Sequence, residues 1–593
     1  MKFAGKSNAC RRSNTLRRSV WNGDCEWMKD WRSSLRADAE GASSFVLKDE
    51  SLRPKDSFFD IFKTGMPCFV YRVFLQRKFR LSVFSLFLFF RRKGENIMEE
   101  ILAKIAEVNS VVYNFVWVTI GIVLLLGSGF ICTVITKAFQ FTHFGHWVKE
   151  TIGSIFTDKN VNDKSDKRNI SQFQALCTAL SATVGTGNIS GTATAIVFGG
   201  PGAIFWMWVA AILGMMTNFS ENVLGIFYRR KNEQGEWCGG AMYYLKDGLG
   251  AKKGCKWIGS ILAVLFSIFC IFASFGIGNL SQMNSIAVNL DSAFGIPNWF
   301  TGAAFVIIAG LVIVGGLKRI ASVTEKIVPT MVVLYLIGTI AIFIANIDMA
   351  GAVFASIFKN AFGVDAVAGG FAGIVMKEVV TWGCKRGVFS NEAGLGSSVM
   401  VHSCSNVKEP VKQGMWGIFE VFVDTLIVCT LSAFAVLSSG VVDLTTGQIL
   451  VSGIEASALV GASFETLFGG FGKYFIAIAI MLFAFSTVLG WSVYGTKAWE
   501  YLFGTKATIV YKVIFVSMVF VGPMLHSSLA WDVSDTFNGL MMIPNLIGVI
   551  VLCPVVYKIT KNYIDRVIKG KHVEPMLSVF KEINEEHSKE VIK

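Results

Sequence analysis

Residues Gln174 to Trp208 read QALCTALSATVGTGNISGTATAIVFGGPGAIFWMW. The stretch is apolar and long enough to cross a bilayer, for which about 20 residues suffice. Its centre is Gly185-Thr186-Gly187-Asn188, preceded by Ser181 and Thr183, a poor sequence for an unbroken lipid-facing helix. Backbone that leaves the helix at membrane depth survives only where it is buried in protein or lines a cavity, and its free N–H and C=O groups then become ligands. The stretch therefore predicts a broken spanning helix with a solute site at the break.

The chain around it is 53% hydrophobic and 16% charged over 593 residues, whereas soluble domains carry about 25% charge. It reads as an all-α polytopic membrane protein. Twelve cysteines are scattered with no C-x-x-C pair and no histidine cluster, so neither a zinc site nor a disulfide framework is indicated. The net charge of +13 is no sign of nucleic-acid binding. Residues 1–97 hold 20 Lys and Arg against 10 Asp and Glu, which leaves +3 for the rest. This extension is Arg-, Trp- and Ser-rich and contains an apolar run, Leu81 to Phe90, too short to span. A targeting segment and a membrane-surface arm are alternatives. The expectation is a translated leader with Met98 as the initiator, because Lys93 to Met98 can be encoded with a purine-rich GGAG just before the ATG. Mass spectrometry of the native N-terminus tests this.

Eleven spans follow: Val111–Ala138, the interrupted Phe173–Phe198, Ala203–Tyr228, Trp257–Asn289, Trp299–Gly316, Ile327–Ala345, a second interrupted span from near Gly370 to Val401, Met415–Ser438, Tyr474–Leu502, Thr508–Leu525 and Phe537–Tyr557. With the N-terminus of this core outside, every Lys/Arg-rich loop falls inside and the C-terminus is cytoplasmic. The second interruption is assigned to Thr381–Gly387. The two broken spans are second and seventh, five apart, so they cross in opposite directions, as an inverted repeat of five plus five spans requires. The expected divisions are 98–170 for the extra first helix and its loop, 171–346 and 347–560 for the repeats, and 561–593 for a cytoplasmic tail.

Four segments carry a resemblance: Gly185 to Ile189, Gly200 to Trp208, Gly278 to Ser285, and Gly387 to Ser397 (GVFSNEAGLGS). In this order they resemble the signatures of the alanine or glycine:cation symporter family, over about Val111 to Tyr557. The resemblance implies a LeuT-type fold, import of small neutral amino acids, and Na⁺, or H⁺ in some members, as the driving ion. No cofactor is expected beyond that ion, and the protein is expected to work as a monomer in the plasma membrane.

A zwitterion needs N–H donors for its carboxylate and acceptors for its ammonium. Amides at Thr186 and Gly187 open the following half-helix and suit the carboxylate; carbonyls from Ser181 to Val184, beside Thr183, suit a cation or the ammonium. By resemblance to LeuT-fold carriers, Ser181 and Val184 would give backbone oxygens to Na⁺, completed by the hydroxyls of Ser486 and Thr487. That pair is also of the kind that bonds back within its own helix. Asn188 is a further ligand candidate. Gln282 is the candidate substrate ligand from the fourth span, with polar packing as the alternative. Thr381, Trp382 and Gly383 are taken to face the first break, Trp382 closing the pocket or anchoring at the interface.

Charges inside spans are costly and usually functional. Glu392 with Lys385 and Arg386 is the expected gate at the cytoplasmic end of the seventh span; Glu420 and Asp424, four apart on one face of the eighth span, are candidates, either as a partner of those cations or one as a proton site. Gly185, Gly187 and Gly191 approach a dinucleotide fingerprint, but the strand context and the later acidic residue are missing, which argues against an enzyme. A proton-coupled carrier and an uncoupled channel remain alternatives.

Overall fold

A computed structural model describes residues 103–591, except 167, 363–371 and 526–527. The extension 1–97 and the start of the seventh span near Gly370 lie outside them. Eight helices among the described residues are long and apolar enough to cross a membrane. They include α1 (Ala103–Ile135), α4 (Ala203–Phe227), α5 (Lys256–Phe294), α7 (Gly316–Ala345), α11 (Pro410–Ser438) and α13 (Gly470–Phe503), with Thr505–Met524 and a stretch of α15 (Ser528–Tyr563). The broken pair α2 (Gln172–Thr183) and α3 (Thr192–Gly199), the 17-residue α6 (Asn298–Val314) and the more polar α9 (Ala372–Asn391) stand outside that set. The remaining helices used below are α8 (Ala350–Ala361), α10 (Val399–His402) and α16 (Lys581–Val591).

Apolar faces point outward where a soluble protein would place charge. Ile307, Leu311 and Val314 on α6, and Ile337, Ile340 and Ile344 on α7, are all exposed. Their helical spacing makes a continuous stripe for lipid. The inward faces carry the polar side chains. On α4 Asn218, Ser220, Glu221 and Asn222 are fully buried, and on α11 so are Gln413, Glu420, Asp424 and Thr425. A membrane protein of this pattern keeps its chemistry in the centre.

Two elements depart from the expected boundaries. Lys318, Arg319, Glu325 and Lys326 were expected in a loop, but they form the opening turns of α7; the loop shrinks to Gly315-Gly316, with Gly316 at φ +72°. Long charged side chains are good helix formers, and here Ile320, Ala321 and Thr324 bury the opposite face. Lys318 donates to the Asp166 carbonyl at 2.7 Å and Lys164 pairs with Glu325 at 2.8 Å.

The second departure is the break expected at Thr381–Gly387. α9 runs unbroken through it to Asn391. Gly383 serves close packing instead: a Cβ there would lie 2.7 Å from the Trp206 Cβ, against the start of α4. The chain leaves the helix only at Glu392 (φ +55°), Gly394 (φ +93°) and Gly396 (φ +73°), and α10 follows.

On the side of the basic loops the tail folds back. Val579 N–H donates to the Phe227 carbonyl at 3.0 Å, and α16 lies against the hairpin Arg230–Lys231/Trp237–Cys238. His587 meets Trp237 edge-on at 5.7 Å, Glu590 pairs with Lys408, and Glu586 with Lys231 at 3.7 Å. Burial, then the charges of Arg229, Lys408 and Lys231, push the His587 imidazole from its ordinary 6.5 down to about 3. A histidine depressed in the docked state costs nothing above 6.5 and weakens docking as pH falls below it. Protection of the α16 amides, measured as exchange relative to the intrinsic rate at each pH, is therefore expected to fall below that pH in the native protein and to stay flat in His587→Phe.

Candidate functional site

The break is built by side chains at both ends. Ser171 Oγ accepts from Gln174 N–H at 3.1 Å and Gln174 Oε1 accepts from Ser171 N–H at 3.2 Å, a capping box that fixes the start of α2. The helix ends when Val184 turns to ψ +86°. Gly185 N–H then donates to Asn188 Oδ1 at 2.9 Å, rather than to the Ser181 carbonyl as a continued helix would require. That freed carbonyl accepts from Ser486 Oγ on α13 at 3.3 Å. Gly185 sits directly under Thr487 Oγ1, and a Cβ at Gly490 would lie 2.7 Å from Ser181 Oγ. Ser181, Ser486 and Thr487 are thus gathered at the end of α2, with Val184 fully buried beside them. Both hydroxyls also bond back to the Phe483 carbonyl, at 2.8 and 3.0 Å. Thr183 is buried and bonds back to Ala179.

α5 contributes from a wide turn at Gly276–Leu280, where Gly278 lets Trp491 close on the backbone. The turn presents Gln282, whose Oε1 accepts from Thr186 Oγ1 at 3.0 Å while its Nε2 donates to the Ile277 carbonyl at 3.0 Å. From α9 the residues opposite the break are Phe389 and Ser390: a Cβ at Gly187 would stand 3.1 Å from the Phe389 ring and 3.2 Å from Ser390 Cα. Asn188 completes the centre. Its Nδ2 donates to Asp424 Oδ1 at 2.6 Å, and Asp424 Oδ2 accepts from Ser390 Oγ and Thr425 Oγ1, each at 2.8 Å. One carboxylate therefore links the broken helix to α9 and α11.

Three expected site residues sit elsewhere. Trp382 stacks on Phe198 at 4.8 Å, and Gly383 packs under Ala203 and Trp206. With Thr381 they lie at the turn between α3 and α4, because α9 continues as helix and carries Ser390 ~12 Å further along its axis. The expected gate also changes partners. Lys385 pairs with Asp535 at the start of α15 at 2.8 Å, donates to the Tyr113 hydroxyl, and lies 4.5 Å from that ring's centre. Arg386 lies between the Trp382 and Phe389 rings, at 5.5 and 5.3 Å. Glu392 is beyond the left-handed turn and accepts from Ser397 Oγ at 2.6 Å, so it forms no pair with either cation, and neither does Asp424. Phe389, Ser390, Thr425 and Asp535 were missed. Phe389 and Ser390 stood inside the GVFSNEAGLGS segment, and Asp535 stood in an acidic loop otherwise without a cation.

Removing one partner of a buried ion pair leaves the other charge uncompensated, at about 3–5 kcal/mol. Lys385→Met is accordingly expected to lower the melting temperature of the detergent-solubilised protein, and Lys385→Met/Asp535→Leu to recover most of the loss. A double variant as unstable as the single one contradicts a stabilising pair.

A cavity of about 950 Å³ opens elsewhere, between the loop Asp158–Asn169, the hairpin, Lys408 and α16. It contains none of the residues of the break.

Long helices with lipid-facing stripes, wrapped around helix breaks that are lined by buried polar side chains, define a polytopic membrane transporter. The chain belongs to the sodium:alanine symporter family, whose model matches residues 102–576. It is 41% identical over 452 residues to the sodium/alanine symporter AgcS of Methanococcus maripaludis, covering 76% of this chain and 96% of the relative. It is 37% identical over 422 residues to a sodium/proton-dependent alanine carrier protein of Bacillus sp. strain PS3, covering 69% and 92%. Among solved structures it is similar to MhsT in complex with L-phenylalanine, at 15% identity and a TM-score of 0.44, covering 67% of this chain and 99% of that one. The family and these relatives are transporters, not enzymes.

Proposed function

We propose that the protein imports small neutral amino acids, alanine or glycine, by coupling their entry to a sodium gradient. It does so as a monomer in the plasma membrane, by alternating access. The observation that carries this reading is the division of labour at the break. The Ser181 carbonyl and the Ser486 and Thr487 hydroxyls offer neutral oxygens at one end, a donor set that suits Na⁺. Thr186, Gln282 and the amides that open the next half-helix lie at the other end, where a carboxylate fits. Two relatives named for alanine and sodium support the same assignment. Added to the eight long helices, α2–α3, α6 and α9 make eleven spans. These form two inverted repeats, 171–346 and 347–560, behind α1, with the core's N-terminus outside and its C-terminus cytoplasmic.

The geometry supports the following mechanism. Sodium bound at Ser181 and Ser486 ties α2 to α13. The amino acid bound at Thr186 and Gln282 ties the break to α5. With both in place, the halves of the broken helix move against the rest and expose the site to the other side. The experiment is uptake of labelled alanine into proteoliposomes in sodium and in choline, with a panel of amino-acid competitors. Concentrative uptake in sodium alone, competed by small neutral amino acids, is the expected result. Flux that ignores the gradient contradicts coupling, and absence of competition contradicts the substrate.

A further inference from the structure

The tenth span, α14 (Thr508–Val521), reads TIVYKVIFVSMVFV and is uncharged except for Lys512, its fifth residue. A charge inside a span is costly and usually has a partner or a task. The exposed Lys506 precedes the helix, and the half-buried Lys512 follows it ~9 Å deeper along the axis. Other lysines on this side of the bundle are matched, Lys497 with Glu500 at 2.9 Å and Lys164 with Glu325 at 2.8 Å. Among the described residues Lys512 makes no ion pair.

The acids that act on Lys512 across space are Glu236 and Glu500, and Lys497 opposes them. Both acids are occupied. Glu500 accepts from Lys497, from Asn232 at 2.9 Å and from Thr505 at 3.2 Å, while Glu236, beside the hairpin turn, accepts from Asn232 at 3.4 Å. A lysine in an apolar helix ordinarily lays its stem on apolar surface and carries its head to water. Here the head lies against the turn between α6 and α7.

A seam of close contact delivers it there. A Cβ at Gly302 would lie 3.2 Å from the Phe520 ring, one at Gly310 3.6 Å from Val516, and one at Gly316 3.9 Å from Lys512 Nζ, so α6 and α14 run antiparallel with small residues letting them close. Arg319, the fourth residue of α7, is laid on the same turn. A Cβ at Gly315 would stand 2.7 Å from its Nε, and its Nη1 donates to the Leu311 carbonyl in the last turn of α6 at 2.9 Å. Its other N–H groups have no partner among the described residues. Gly315 and Gly316 thus leave a notch bordered by two cations. Beside it the surface is apolar, with Leu311 and Val314 on α6 and Val510 and Val513 on α14 exposed.

We propose that this notch binds one anionic phospholipid from the leaflet on the side of the basic loops. The Arg319 fork and the Lys512 ammonium hold its phosphate, the first by planar paired N–H groups and the second as a point charge. Its acyl chains lie on the exposed faces of α6 and α14. A soluble anion would match the cations alone; a headgroup carried on its own chains matches the cations and the apolar faces together. Bound there, the lipid neutralises Lys512 and fastens α14 to the α6–α7 turn. The inference does not depend on which solute the protein carries.

Two measurements test it. In native mass spectrometry of the purified full chain, titrated with phosphatidylglycerol and with phosphatidylcholine of the same chains, one phosphatidylglycerol is expected to be retained in preference. Arg319→Gln/Lys512→Gln should weaken its binding about 25-fold, roughly fivefold for each cation removed. Lys512→Arg should keep it, as should Lys506→Gln, whose charge lies outside the notch. Equal retention by the native protein and the double variant overturns the proposal, and so does native protein that binds the two lipids alike. The second measurement uses the native chain alone and stands even if the double variant fails to fold: crosslinking in proteoliposomes by a phosphatidylglycerol with a photoreactive acyl chain, followed by peptide mapping. Adducts concentrated at Leu311–Val314 and Val510–Val513, competed by unlabelled phosphatidylglycerol and not by glycerol phosphate, are expected. Adducts spread evenly over the lipid-facing helices overturn the proposal, and competition by glycerol phosphate overturns it in favour of a soluble anion.

Discussion

Gly185→Ala is expected to reduce sodium-driven alanine uptake at least about 100-fold, a loss of roughly 3 kcal/mol. A Cβ at this position falls well inside contact distance of Thr487 Oγ1, whereas the Thr487 Cβ is 3.5 Å away. Either the hydroxyl rotates out or α2 and α13 separate, and both outcomes remove an oxygen from beside the freed Ser181 carbonyl. Thr487→Ala removes the hydroxyl together with the γ-methyl and leaves the Cβ in place. Losing one interaction with a charged group costs about 1.5 kcal/mol or more, so half-saturating sodium should rise about tenfold with the maximal rate nearly kept. Gly185→Ala/Thr487→Ala should then transport at the level of Thr487→Ala, since the colliding atom has gone. The separation of effects decides the matter. A double variant no better than Gly185→Ala would show that glycine is needed for backbone shape alone.

The first break was legible because its glycines, threonines and asparagine interrupt an otherwise apolar run, and the helix does end at Val184. The second was misplaced because glycine serves two purposes. Gly383 admits the start of α4 without bending α9, while the residue that turns the chain is Glu392, whose left-handed φ has no one-dimensional signature. Lys385 was legible as a buried charge, but its partner Asp535 is 150 positions away and meets it only once α9 and α15 have both packed against α1. The acid at Asp424 was likewise visible. Its bond to Asn188 was not, since residues from the second and eighth spans meet only once the bundle is assembled.

That bond carries the second large expectation. Asn188 does two things at once: Oδ1 accepts the Gly185 N–H that the break frees, and Nδ2 donates to Asp424. Asn188→Ala orphans a backbone donor and takes a donor from a buried carboxylate, each at about 1–3 kcal/mol. The expected result is a melting temperature lowered by several degrees and uptake reduced to near background. Part of this loss comes from Asp424 left short of a donor, so it should vanish when that carboxylate is removed as well. Asn188→Ala/Asp424→Ala is therefore expected to be more stable than the sum of the two single losses by about 1–2 kcal/mol, the coupling typical of contacting polar groups. Uptake should not return with stability, because Ser390 and Thr425 lose the acceptor that holds α9 and α11 against the break. Strictly additive losses in the melting experiment would mean that the two side chains are neighbours without being partners. Recovery of uptake in the double variant would assign the network to folding and leave substrate handling to Thr186 and Gln282 alone.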